Sequence, residues 1–197
     1  AAGLIVPDMM TASSIIDIFQ NKSLVDHSSA FIAMERHDGC RAGGKGYPCR
    51  AIRTKEYLYI RNFDPDRWPA GSPERKHCVR HIRYGEVDPS PTKTVMMDEP
   101  KYAKLADLAF GKRPAEELYL ISDDPYQLQN LADAKEFQKT RNLLRQQLDD
   151  HLKKSGDPRL TGKPALWDYY PFYRAPKFPG WKVAPMPAEF QKVHKVK

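Results

Sequence analysis

Two β-type runs, Ala51-Ile52-Arg53-Thr54 and Tyr57-Leu58-Tyr59-Ile60-Arg61-Asn62, stand only Lys55-Glu56 apart. Runs this rich in β-branched and aromatic residues, joined by so short a link, specify an antiparallel hairpin and put a small sheet at the centre of the fold. Strand side chains alternate, so Leu58 and Ile60 project to one side while Tyr57, Tyr59 and Arg61 project to the other. One of those faces has to meet a core.

Further elements can be placed around the hairpin. Phe31-Ile32-Ala33-Met34 is a short apolar run between polar residues, the pattern of a buried strand, which a helix fragment could mimic. Residues 116–121 read as another strand, stopped by the turn chemistry of Ser122-Asp123-Asp124-Pro125. Over 134–154, Phe137, Leu143, Leu144, Leu148 and Leu152 recur at helical spacing, and Ser155-Gly156-Asp157-Pro158 closes that helix. A shorter helix is expected over 11–19, where Ile15, Ile16, Ile18 and Phe19 follow the cap residues Thr11, Ser13 and Ser14. Gly39, Gly43, Gly44 and Gly46 mark a loop that lacks the order of a phosphate-binding P-loop. Prolines and charges between 64 and 100 argue against regular structure and leave a long surface excursion with Trp68 as its anchor. The fold class is α+β, a small antiparallel sheet with a packed C-terminal helix and long irregular loops.

The hydrophobic fraction of 41% suffices for one core, whereas 17 prolines in 197 residues point to extended irregular ends. A net charge of +7 favours anionic partners such as nucleic acid, acidic lipid or sulfated sugar. No ribonucleoprotein signature, helix-turn-helix or zinc finger is present, so nucleic acid is not expected as a partner. No apolar run is long enough to span a bilayer. The segment Ala1-Ala2-Gly3-Leu4-Ile5-Val6-Pro7 reads as the end of a loop entered from elsewhere. Three cysteines, Cys40, Cys49 and Cys78, lack metal-type spacing. Three free thiols is the simpler reading, with a Cys40–Cys49 disulfide as the alternative in an oxidising compartment.

Chemistry is concentrated in Glu35-Arg36-His37 and the arginines that follow. Sulfate and phosphate esters are held by guanidinium forks and imidazole N–H groups through directional, charge-assisted hydrogen bonds. Arg36, His37, Arg41, Arg50 and Arg53 could supply them, with Glu35 fixing a sugar hydroxyl or orienting an arginine; the alternative is a solvated strand end. His77 and His81 stand four apart without a matching carboxylate pattern, and no nucleophile–base pair can be read.

These residues carry a resemblance. Glu35-Arg36-His37, the run from Tyr47-Pro48-Cys49-Arg50 to Lys55, Tyr57 to Phe63, and Pro65-Asp66-Arg67-Trp68-Pro69-Ala70-Gly71 resemble successive signatures of the C-terminal region of type I, formylglycine-dependent sulfatases, in the branch of bacterial heparan N-sulfatase-like enzymes. The likeness continues through Tyr84-Gly85-x-Val87-Asp88, Ala109-Phe110-Gly111-Lys112-Arg113-Pro114, Asp124-Pro125-Tyr126-Gln127-Leu128 and Gly156-Asp157-Pro158-Arg159.

The resemblance implies the tail end of an alkaline-phosphatase-like domain over 1–29 and a sulfatase C-terminal subdomain over 30–160. The proline-rich, aromatic and basic tail over 161–197 reads from its composition as wrapping along a parent domain, with stacking on bases or sugars as the alternative. The resemblance also implies a parent that hydrolyses sulfate esters or sulfamates of sulfated sugars using calcium and a formylglycine made within C/S-x-P-x-R. That motif does not occur in this sequence. The chain is therefore expected to have no catalytic residue, metal or cofactor of its own and to be inactive alone. Its expected partners are the N-terminal sulfatase domain and a sulfated carbohydrate. Substrate contacts are expected from Glu35, Arg36, His37, Arg41 and Arg50. The setting implied is periplasmic or secreted in a bacterium and lysosomal in an animal. A non-catalytic module that binds sulfated polysaccharide or another polyanion is the alternative.

Overall fold

The computed structural model describes residues 14–20, 28–78, 81–160 and 166–170, with isolated positions toward either end. Four strands form one sheet: β1 (Ser29–Met34), β2 (Cys49–Thr54), β3 (Tyr57–Asn62) and β4 (Glu116–Leu120), in the order β1-β2-β3-β4 with every pair antiparallel. The hairpin expected from sequence is β2–β3, with Ile52 opposite Tyr59 and Arg53 opposite Leu58. Its turn is closed by the Tyr57 N–H donating to the Thr54 hydroxyl at 2.9 Å.

The register places Phe31, Ile52, Tyr59 and Leu118 in one row across the sheet. Over that row lies the long helix, Gln138–Ser155, whose Leu144, Leu148 and Leu152 recur every fourth residue and are buried against Ile52, Tyr59, Leu118 and Ala132. The core face of β3 is thus the tyrosine face, and Leu58 and Ile60 are only half-buried on the other side. Tyr59 can go inside because its hydroxyl donates to Glu116, whose carboxylate is also spanned by Arg145 from the helix. Gly156 ends the helix at φ 70°, a left-handed conformation that glycine adopts without a Cβ penalty. Leu143 lies one position off the buried stripe and is 59% exposed.

Three expectations are corrected. The Phe31–Met34 run is a strand, but all of β1 is exposed, because the buried core under α4 is built on the other three strands and takes no residue from β1. Phe31 instead stacks on the His151 ring of the long helix, centroids 3.7 Å apart.

Residues 64–100 do contain regular structure, including a 3-10 turn at Arg75–His77 and a helix at Pro91–Asp98, followed by a further helix at Ala103–Phe110. The proline that argued against a helix begins one: Pro91 occupies the first turn, where its missing N–H has no partner to lose, and the Ser90 hydroxyl caps the Lys93 N–H at 3.1 Å. In chain order the helices are α1 (Ile16–Phe19), α2 (Pro91–Asp98), α3 (Ala103–Phe110) and α4 (Gln138–Ser155).

The N-terminal helix spans Ile16–Phe19 alone, with residues 11–13 outside the described set, and Ile15, Ile18 and Phe19 are exposed. Trp68 does hold the excursion down, packing edge-on against Tyr84, which stacks on Phe110 of α3. Among the described residues no helix is long and apolar enough to cross a membrane.

The core predicts a sharp contrast between two leucines adjacent in helical pattern. Leu148→Ala should lower the unfolding free energy by about 2–5 kcal/mol in urea titrations, through lost transfer energy and the cavity left behind. Leu143→Ala should stay within about 0.5 kcal/mol of the parent chain.

Candidate functional site

Where β1 ends at Met34, the next three side chains go to three different places. Glu35 turns into the protein, and its carboxylate accepts from Arg50 at 2.7 Å and from Arg159 at 3.0 and 2.5 Å. Arg36 donates to the carbonyl oxygens of Gly44 and Tyr170, both at 2.9 Å. His37 points outward with 81% of its side chain exposed.

Glu35 belongs to a larger ionic cluster. Arg50, 2% exposed on β2, also pairs with Asp157 at 2.7 Å and donates to the Met34 and Cys49 carbonyls. Arg159 lies 3.6 Å from Asp168, which in turn accepts from the Gly46 N–H at 3.0 Å and from Arg67 at 3.2 Å. Trp167 lies beside the guanidinium groups of Arg50 and Arg159, at 6.0 and 5.8 Å from its ring centroid. Burying charges this deeply is tolerated only where each meets its opposite with hydrogen-bond geometry, and here it does. Burial opposes ionisation of Asp168, but the Gly46 N–H, Arg67 and Arg159 outweigh it and hold the carboxyl below the usual value of 3.8.

The outward arm is different. The His37 Nδ1 lies 3.1 Å from Glu86 Oε2, and the other oxygen of Glu86 accepts from Arg41 at 2.8 Å. Arg41 is itself buried and fixed by donating to the Trp68 and Pro69 carbonyls, each at 2.7 Å. A buried arginine thus holds a mostly buried carboxylate, which holds one edge of an exposed imidazole. With Nδ1 turned to Glu86, the Nε2 edge is the one offered to solvent or a ligand.

Of the residues proposed from sequence, Glu35 and Arg50 touch each other inside the ionic cluster, while His37 and Arg41 are joined through Glu86. Arg53 donates to the Thr54 carbonyl at 2.7 Å by the hairpin turn, away from the others. His77 lies 3.3 Å from Glu74, and among the described residues no group of three or more His, Cys, Asp or Glu could hold a metal ion.

Glu86 carried no sequence signal. It is 49 residues from His37 and occupies the one unspecified position in the Tyr84-Gly85-x-Val87 motif. Asp157 and Arg159 were visible as a motif, but their pairing with Arg50 and Glu35 crosses more than a hundred residues of sequence.

Comparison with known proteins agrees with the resemblance read from the motifs. Over 111 residues the chain is 30% identical to the Ulvan-active sulfatase of Formosa agariphila, a match that takes in 55% of this chain and 17% of the relative. Two solved structures are similar to it. One is BT4656 in complex with its substrate D-glucosamine-2-N,6-O-disulfate, at 16% identity over 80% of this chain and 23% of that one, with a TM-score of 0.47. The other is a Bacteroides thetaiotaomicron protein assigned as a sulfatase, at 18% identity over 87% and 27%, also with a TM-score of 0.47. No protein-family model matches the chain. The chain is similar to a sulfatase over just over half its length, and it spans about a sixth of the length of the curated relative it matches.

The ionic cluster makes two predictions. Arg50→Ala leaves Glu35 and Asp157 buried without their shared partner, so it should cost about 3–5 kcal/mol in chemical denaturation. A carboxyl whose pKa is depressed by folding stabilises the fold above its unfolded value, and that contribution is lost as pH falls through the folded value. Stability should therefore decline below about pH 4. Asp168→Asn should flatten that acid-side slope in urea titrations repeated across pH, and an unchanged slope would remove Asp168 from the acid response.

Proposed function

We propose, for a chain with sulfatase homology over just over half its length, that it is the C-terminal region of a sulfatase acting on a sulfated sugar, and that it supplies substrate-pocket contacts while the nucleophile comes from elsewhere in the parent. The observation that carries this reading is the Arg41–Glu86–His37 relay. An exposed imidazole held at one nitrogen by a mostly buried, arginine-clamped carboxylate is oriented before any ligand arrives, which lowers the ordering cost of binding.

In this reading His37 contacts the substrate directly through Nε2, donating to a sulfate oxygen as the imidazolium or accepting from a sugar hydroxyl as the neutral ring. Glu86 and Arg41 are positioning residues behind it. Glu35, Arg36 and Arg50 shape the rim from within, because their polar atoms already have protein partners.

The sequence contains no C/S-x-P-x-R, and the described residues offer no carboxylate cluster for calcium. Those residues do not fit either group, and no step of sulfate hydrolysis is drawn through them. The alternative of a freestanding polyanion-binding module finds less support, since Arg41, Arg50 and Arg159 all face carboxylates within the protein.

Two measurements test the proposal. The 197-residue chain alone should show no turnover of a sulfated chromogenic ester, and turnover above background would overturn the assignment of chemistry to the rest of the parent. In a full-length parent, His37→Ala should lower kcat/KM for the sulfated sugar by about tenfold, the worth of one hydrogen bond of about 1.4 kcal/mol. Glu86→Gln, which also removes the counter-charge of buried Arg41, should produce a smaller kinetic loss in the same direction together with a lowered melting temperature. Wild-type kinetics in His37→Ala would take His37 out of the pocket.

A further inference from the structure

Cys40 and Cys78 are 38 positions apart in sequence yet meet in the interior, 0% and 5% exposed. The Cys78 thiol reaches the Cys40 carbonyl oxygen at 3.4 Å and the Ser72 carbonyl oxygen at 3.3 Å. The backbone is arranged to hold this meeting point. The Ser72 N–H donates to the Cys40 carbonyl at 2.7 Å, and the Tyr84 N–H donates to the Ser72 carbonyl at 2.9 Å.

Glycines line it where any side chain would collide. A Cβ on Gly85 would fall 2.6 Å from the Cys40 sulfur, and one on Gly71, at φ +92°, would fall 2.9 Å from the Cys40 Cβ. Of the two pairings three cysteines could offer Cys40, the fold presents Cys78, while Cys49 sits on β2 with its thiol pushed up by burial to about 11.

We propose that Cys40 and Cys78 are a disulfide-forming pair that closes in an oxidising compartment and fastens the loop bearing Arg41 to the loop bearing Glu86. The oxidant is a donor disulfide, of a small molecule or of a dithiol protein, acting by thiol–disulfide exchange. The Cys78 thiolate attacks one donor sulfur to give a mixed disulfide and release a donor thiolate. The Cys40 thiolate then attacks the Cys78 sulfur and releases the second. In sum, two protein thiols lose two protons and two electrons, and the donor disulfide takes them up as two thiols. Because both sulfurs are buried in the finished fold, exchange takes place during folding or local opening. The pairing is independent of whether His37 meets a substrate, since it concerns the scaffold beneath that residue.

The test is to unfold the full chain under reducing conditions, refold it in oxidised glutathione, alkylate the remaining thiols in denaturant and map the peptides by mass. The expected result is one alkylated cysteine, Cys49, and a peptide linking Cys40 to Cys78. Cys49→Ser should keep that link, and Cys78→Ser should remove it without creating another within the chain. Three alkylated cysteines after oxidation would overturn the proposal. So would a Cys40–Cys49 link, or links found only between chains. Because mapping of the wild-type chain decides the matter by itself, the proposal remains testable even if Cys78→Ser does not fold.

Discussion

A carboxylate drawn out of water must find its counter-charge, and Glu35 finds two, in Arg50 and Arg159. Those contacts tie the end of the β1–β2 ladder to the segment that follows α4. Glu35 follows β1, Arg50 lies on β2, Asp157 and Arg159 follow α4, and Asp168 comes from a segment further on that also touches Gly46 and Arg67. The apolar core between α4 and the sheet holds one end of the molecule, and the ionic cluster holds the other. Without it, the stretch after α4 would have few reasons to return to the end of β1.

The same constraint divides labour among the basic residues. A chain with a net charge of +7 looks from composition like an open anion-binding surface. In three dimensions its central guanidinium groups face inward, each against a carboxylate or backbone carbonyls, and their capacity to hold an external anion is correspondingly reduced. Outward chemistry is left to a group that is positioned by the cluster's neighbours, the His37 ring held by Glu86 and Arg41.

Much of the architecture could be read directly. The short link between residues 54 and 57 gave the hairpin, the leucines at every fourth position gave α4, and Gly156 marked its end. The misreadings have physical causes. Phe31 to Met34 looked buried because apolar runs usually are, but the buried core under α4 is built on Ile52, Tyr59 and Leu118 of the other three strands and takes no residue from β1. Pro91 looked like a breaker because proline interrupts helix interiors, whereas behind a capping serine it starts one. Alternation along β3 showed two faces without saying which would be covered, and the tyrosine face won because Glu116 and Arg145 could satisfy the hydroxyl that went in with it. The site was half legible: Glu35, His37 and Arg50 stood out by residue type, while Glu86 could not, since an isolated glutamate in irregular sequence announces nothing.

The sequence by itself determined the strand and helix periodicities, the class of fold, the absence of the nucleophile motif and the sulfatase likeness, because each is written in residues near one another along the chain. Tertiary structure alone decided which charges oppose which, that Arg41 and Arg50 face inward while His37 faces out, and that Cys40 meets Cys78. Those outcomes depend on pairings across tens to more than a hundred residues, which chain closure and burial select and local pattern does not encode.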